Sequence, residues 1–248
     1  MATLSQTAPA GAMKAFGGSR GLVDKYFYFA MALLFPVIVF WGFSRTIDQK
    51  LLHPAIKPPV ILWFHSVVFS SWIVFFLFQS VLVRTRNVKW HRFLGWFGAA
   101  LGATMVPLGV ATAIGMSRFD ANQLHQAGVE SFLIIPLFGI TAFGTLVALA
   151  IAWRKNPELH RRMLFVATCT LLDAAFDRFD FIFDHDLGFF CLDLIIGLGM
   201  VRDLIVNRHI HRSYLITLSL LVALQILSLY VWHSEAAWWV RIAHGILG

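Results

Sequence analysis

The chain has 248 residues, of which 58% are hydrophobic and only 13% charged, against about 25% charged in a soluble domain. That balance excludes a water-facing globule and suits a lipid solvent; the 24 Phe and 9 Trp fit hydrocarbon and its interface with water. The net charge of +7 would fit nucleic acid on a soluble chain, but basic residues of a membrane protein mark its cytoplasmic loops, so no nucleic-acid partner is expected.

Residues 1–22 are rich in Ala, Gly, Ser and Thr and lack the continuous apolar stretch of a secretory signal. They are expected to form a disordered cytoplasmic tail before an uncleaved anchor helix. A spanning helix needs about 20 mainly apolar residues, and seven stretches of residues 23–233 qualify. They run over Tyr26–Phe43, Pro59–Val83, Phe93–Met116, Val129–Trp153, Leu159–Phe179, Gly188–Val206 and Tyr214–Trp232. The fifth is the most polar. Residues 234–248 are too short to span, and Trp238, Trp239, Ile242 and Ile246 share one face. They are expected to form an amphipathic helix lying in the outer interface.

The basic residues give the bundle an orientation. Fourteen lie in the tail and in the connections after the second, fourth and sixth stretches, and six lie on the opposite side. The positive-inside rule then places the N-terminus in the cytoplasm and the C-terminus outside. The expected fold is an all-α, polytopic bundle of seven transmembrane helices in a bacterial inner membrane, with the lipid bilayer as its one certain partner. No protein partner is legible. Cys169 and Cys191 both fall in apolar stretches, which speaks against a disulfide framework, and no CxxC motif is present.

Ionisable groups inside a membrane segment are costly, so each is a candidate for function. With a rise of 1.5 Å per residue, His65, Asp173 and Asp193 all fall roughly 8–10 Å below the outer surface. Imidazole with carboxylates suits zinc or iron, and these three are the candidate metal ligands, although no HExxH spacing supports them. Glu130, Asp177 and Arg178 complete a polar pocket at that end. Asp173, Asp177, Asp180 and Asp184 recur at intervals of four, three and four, which would align them on one helix face. The plainer alternative is a hydrated outer loop in which Asp173 pairs with Arg178 or a hydroxyl.

A dipeptide repeats on the cytoplasmic side: His91-Arg92, His160-Arg161 and His211-Arg212 open the third, fifth and seventh stretches. This hints at a repeated helical hairpin. Arg92, Arg161, Arg162 and Arg212 at that level are expected to contact lipid phosphate or another anion. The alternative is that two of His91, His160 and His211 hold a cofactor, haem b or a quinone head group.

The segments "LWFHSVVFSSWIVFFLFQSVLV", "WHRFLGWFGA", "LHRRMLFVAT" and "VRDLIVNRHIHRSYL" resemble a group of bacterial seven-helix inner-membrane proteins of unassigned activity. The likeness rests on His65, Trp72, Gln79, His91, Arg92, His160, Arg161, Arg162, Met163, Arg178, Asp203 and His211, and covers roughly residues 25 to 235. It implies the seven-helix topology but no mechanism. Asp173, Asp177 and Asp180 depart from the group's less acidic fifth helix. A fainter similarity is to small membrane cytochromes of the b type. Three functions stay open: a transporter or membrane scaffold using the outer pocket, a redox protein holding haem or quinone, and a metal-dependent membrane enzyme.

Overall fold

The computed structural model describes residues 10–248, with side chains from residue 21 onward. The expected tail lies outside the described residues over 1–9, and a helix begins at Ala10. The described residues are all-helical, with no strand among them.

The main helices are α1 (Ala10–Ser44), α2 (Ile61–Arg84) and α3 (Val88–Gln123). A short α4 (Val129–Phe132) leads almost without interruption into α5 (Ile134–Ala152). Then come α6 (Pro157–Thr170), the one-turn pieces α7 (Asp173–Phe176) and α8 (Asp180–Asp184), α9 (Gly188–Asn207), α10 (Arg212–His233) and α11 (Ala237–Leu247). Five helices are long and apolar enough to cross a membrane: Gly21–Ser44, Ile61–Arg84, Val88–Gln123, Val129–Ala152 and Arg212–His233. Their outer faces carry bare apolar side chains, among them Phe40, Val67, Val74, Phe93, Ile216 and Ile226. An apolar exterior of that extent needs a lipid neighbour.

The expected fifth and sixth stretches fall short of that apolarity because they carry charge, and they are the most enclosed. Helices α1, α2, α3, α5, α10 and α9 pack in sequence around a closed ring. Helix α6 sits inside it, against α5, α9 and α10. Arg162, Met163, Phe165, Val166, Ala167, Thr168, Cys169 and Thr170 of α6 are all buried. The least lipophilic helix therefore takes the most enclosed position in the bundle. Phe165 is its hub, with ring centroids at 5.8 Å from Phe27, 5.9 Å from Tyr28, 6.0 Å from Phe35 and 6.3 Å from Tyr214. Trp72 reaches in from α2, donating its indole N–H to Thr168 Oγ1 at 3.3 Å.

The α6 start is set locally. Asn156 caps it, its side-chain oxygen accepting from the backbone N–H groups of Glu158 and Leu159, with Pro157 as the first helical residue. The expected continuous helix to Phe179 ends at Thr170 instead. At 14 residues α6 is about 21 Å long, short of a hydrocarbon core of about 30 Å, and α7 extends the path. The four aspartates therefore do not form one helical stripe. Asp is a poor interior helix former because its carboxylate competes for nearby backbone donors, and this segment has an aspartate every third or fourth residue. Asp180 and Asp184 end up exposed, and Asp173 and Asp177 half-buried.

Helices α9 and α10 are antiparallel and tied at three levels. The backbone N–H of His211 donates to Asp203 Oδ2 at 3.2 Å at one end, and Gln225 donates to Asp193 Oδ1 at 3.2 Å midway. His233 Nε2 meets Asp186 Oδ2 at 2.9 Å at the other. Helix α9 thus runs the length of α10. Helix α11 folds back on α3 and α4. It buries Trp239 and Ala243 against Leu133 and Val231, while Trp238 and Ile242 stay exposed on its flank.

Candidate functional site

Two polar regions stand at opposite ends of the central helix. The end carrying the His-Arg dipeptides holds a closed ionic network. Arg162, fully buried, grips Asp203 with two parallel bonds, Nε to Oδ2 at 3.1 Å and Nη2 to Oδ1 at 2.8 Å. Its third nitrogen donates to the Glu158 carbonyl at 2.9 Å and to the Glu158 carboxylate at 2.5 Å. Arg202 donates to Asp203 Oδ1 at 2.8 Å and to Asp24. Arg161 reaches Glu158 at 2.7 Å. Asn207 adds a bond to Asp203 at 3.2 Å.

Tyr28 lies under both Arg161 and Arg202, and Tyr214 under Arg162; the two hydroxyls are 3.2 Å apart. Three guanidinium groups thus meet three carboxylates, and the cluster is neutral. This corrects the expectation that Arg162 binds lipid phosphate: its charge is spent inside the protein. Arg161 is half-buried and engaged in the same way, whereas Arg92 and Arg212 are exposed and free to meet an anionic surface. Glu158 precedes the expected fifth span. Partial burial disfavours its charge, but the bonds to Arg162 and Arg161 prevail and hold its carboxyl below the usual range.

The three histidines of the repeated dipeptide have different surroundings. His211 is the N-cap of α10, its Nδ1 accepting from the Ser213 N–H at 3.2 Å and lying 2.8 Å from the Ser213 hydroxyl. His91 and His160 face one another, with ring centroids 6.3 Å apart and planes at 77°. His160 Nδ1 is 2.8 Å from the Ala150 carbonyl, to which it donates. His91 Nδ1 is buried with no partner.

The opposite end holds the acidic residues. Gly188, at the start of α9, lies directly against Asp173 Oδ1 and Asp177 Oδ1, and a Cβ there would overlap both. Asp173 and Asp177 line a cavity of about 20 Å³, room for about one water, together with Phe183, Asp186, Phe189 and Trp232. Asp193 is one to two turns further along α9 and is held by Gln225. His65 stacks on Phe69 at 3.9 Å, with Nδ1 buried and unpartnered. The guanidinium of Arg178 stands 5.1 Å over the Phe43 ring, with its Nε likewise unpartnered. Glu130 is engaged elsewhere: its carbonyl accepts from Trp239 Nε1 at 2.9 Å and its carboxylate is 3.9 Å from His244.

The chain matches no protein-family model, no curated protein and no solved structure. The chemistry is therefore read from the residues alone. The structure joins Asp173 and Asp177, and it places Asp193 on the helix that Gly188 begins. It does not gather His65, Asp173 and Asp193 into a metal centre: among the described residues no group of three or more His, Cys, Asp and Glu is placed to hold an ion. The reason is the break after Thr170, which turns the aspartates toward α9, while His65 projects from α2. Sequence reasoning missed Gly188, whose lack of a side chain admits the two carboxylates. It also missed Gln225, the partner of Asp193, although a glutamine in the middle of an apolar stretch is itself a signal.

Proposed function

We propose that this is a seven-span protein of a bacterial inner membrane, N-terminus inside and C-terminus outside, that moves protons or small cations through an outer acidic pocket. It would belong with the seven-helix group that its His65, Gln79, His160 and Asp203 segments resemble. Two features support seven spans over five. Helix α9 is tied along the whole of α10, one of the five strongly apolar helices, so it crosses whatever α10 crosses. Helix α6 is enclosed by the ring, its Arg162 level with Asp203 at one end of α9 and the aspartates that follow it level with Gly188 at the other. Charge on these two segments costs little because it is paired or kept from lipid.

The observation that carries the transport reading is the interrupted helix. Broken helices at membrane depth recur where transporters bind ions, because the break frees backbone groups and places side chains at a cavity. Here the break delivers Asp173 and Asp177 to the same glycine beside a water-sized cavity. Carboxylates so placed can pick up and release a proton or coordinate a hydrated cation. Arg178 and Asp193 supply the charges that bias them.

The test is flux. Reconstituted in liposomes under a valinomycin-set potential, the protein should acidify or alkalinise an entrapped pH dye, or pass sodium. Asp173→Asn and Asp177→Asn should abolish that flux, and Asp180→Asn should leave it intact. Flux no greater than in empty liposomes would leave a scaffold role. Topology is tested by Asp184→Cys in intact spheroplasts. Labelling by an impermeant maleimide is expected for seven spans; five spans would leave this residue inside and unlabelled.

A further inference from the structure

We infer that His91 and His160 form a second, independent site, for one divalent transition-metal ion, at the end of the bundle opposite the acidic pocket. The pair comes from two different helices, the first turn of α3 and the first turn of α6, with ring centroids 6.3 Å apart and ring planes at 77°. An ion bridging two imidazoles needs nitrogens about 2.0–2.1 Å away on each side, and that separation leaves it the room. The His160 ring is already oriented as a ligand's would be. Its Nδ1–H donates to the Ala150 carbonyl at 2.8 Å, which leaves the Nε2 lone pair free and raises its basicity. Such a carbonyl is the usual support of a metal-bound histidine.

His91 lacks any such commitment, since its Nδ1 is buried without a partner. Neither imidazole is used by the ionic network, whose charges are balanced among Arg161, Arg162, Arg202 and their carboxylates.

Gln79 on α2 is the candidate third donor. The bond from Trp72 to Thr168 sets α2 against α6. The two helices run in opposite senses, so seven residues beyond Trp72 and seven before Thr168 bring Gln79 level with Arg161. Seven residues are two turns, so Gln79 projects from the same face as Trp72. Its Oε1 and Nε2 are both buried and unpartnered, an expensive state for an amide. Among the described residues no third His, Cys, Asp or Glu joins the pair, so the ion would keep open positions for water or a substrate. Two imidazoles and an amide oxygen suit zinc, nickel or copper rather than magnesium or calcium.

The test uses the full chain in detergent, purified without a polyhistidine tag and stripped with a chelator. Titration with Zn²⁺ should show one saturable site, and Cu²⁺ added at one equivalent should give an electron paramagnetic resonance spectrum with coupling to two nitrogens. His91→Ala should weaken zinc binding about tenfold or more, at least the loss seen when a ligand's supporting partner is removed, and reduce the coupling to one nitrogen. His91 makes no hydrogen bond through Nδ1, so this variant tests the site without unpicking the fold; His91→Gln is the second variant should folding suffer. His211→Ala should bind as the unaltered protein does. No saturable binding below about 1 mM, or unchanged affinity and coupling in His91→Ala, would overturn the inference. Loss of the acidic-pocket flux would not touch it, because the two sites share no residue.

Discussion

Asp203→Ala is the most informative single perturbation of the fold. Asp203 is fully buried and accepts five hydrogen bonds, two from Arg162 and one each from Arg202, Asn207 and the His211 backbone. Its removal leaves two guanidinium groups, at 0% and 1% side-chain exposure, leaning on Glu158 and Asp24, which are about half exposed. Truncating one partner of a buried pair costs about 3–5 kcal/mol, because the remaining charge stays buried without compensation. For a chain of this size that is a fall of roughly 6–20 °C in Tm, at about 2–4 °C per kcal/mol.

Cys169 offers the assay: it is fully buried, so a fluorogenic maleimide reports its exposure as detergent-solubilised protein is heated, with Cys191 replaced by Ser. Asp203→Asn, which keeps the shape and one acceptor oxygen, should fall between the two. Asp180→Ala, at an exposed position, should shift the midpoint by no more than about 0.5 kcal/mol allows. A shift below about 2 °C for Asp203→Ala would refute the claim that this network anchors α6 to α9, since it would equate a buried carboxylate with a surface one.

Glu158 makes the same network sensitive to acid. Its folded pKa is depressed, so its contribution is complete above the ordinary carboxylate range and fades as pH falls through the lowered value; Glu158→Gln should flatten the acid limb of a Tm-against-pH curve. Gly188→Ala would drive a methyl into Asp173 and Asp177. Overpacking of this kind costs about 1–3 kcal/mol, and it should reduce ion flux more than it lowers Tm, whereas Gly197→Ala, with open space around its Cβ, should do neither. Trp239→Ala removes the anchor of α11 and its bond to the Glu130 carbonyl. The expected cost is about 3–5 kcal/mol, read as faster proteolysis at the C-terminus; wild-type resistance would show that the helix is held some other way, for example through Arg118 and the Ile246 and Leu247 carbonyls.

Much of the architecture was legible in the chain itself. Runs of Phe, Leu, Ile and Val long enough to cross hydrocarbon can only be helices there, because no water is present to satisfy an open backbone. The boundaries of α2, of α4 and α5 taken together, and of α10 follow to within a few residues. Asp173 and Asp193 stood out by their depth in apolar stretches, and His91 and His160 by the repeated dipeptide. The repeated His-Arg dipeptide, by contrast, promised three equivalent positions, yet His211 caps a helix while His91 and His160 face each other.

Composition and periodicity therefore determined that the protein is helical and lipid-facing, since each helix's transfer to hydrocarbon depends on its own residues. Tertiary packing decided where charge resides. That Arg162 turns inward to Asp203 depends on residues 41 positions apart, and the pairing of Asp173 and Asp177 over Gly188 depends on a break that local spacing did not announce. Burial of a charge is a property of its partners in space, and the six-helix ring that makes α6 the centre exists only once the chain has folded.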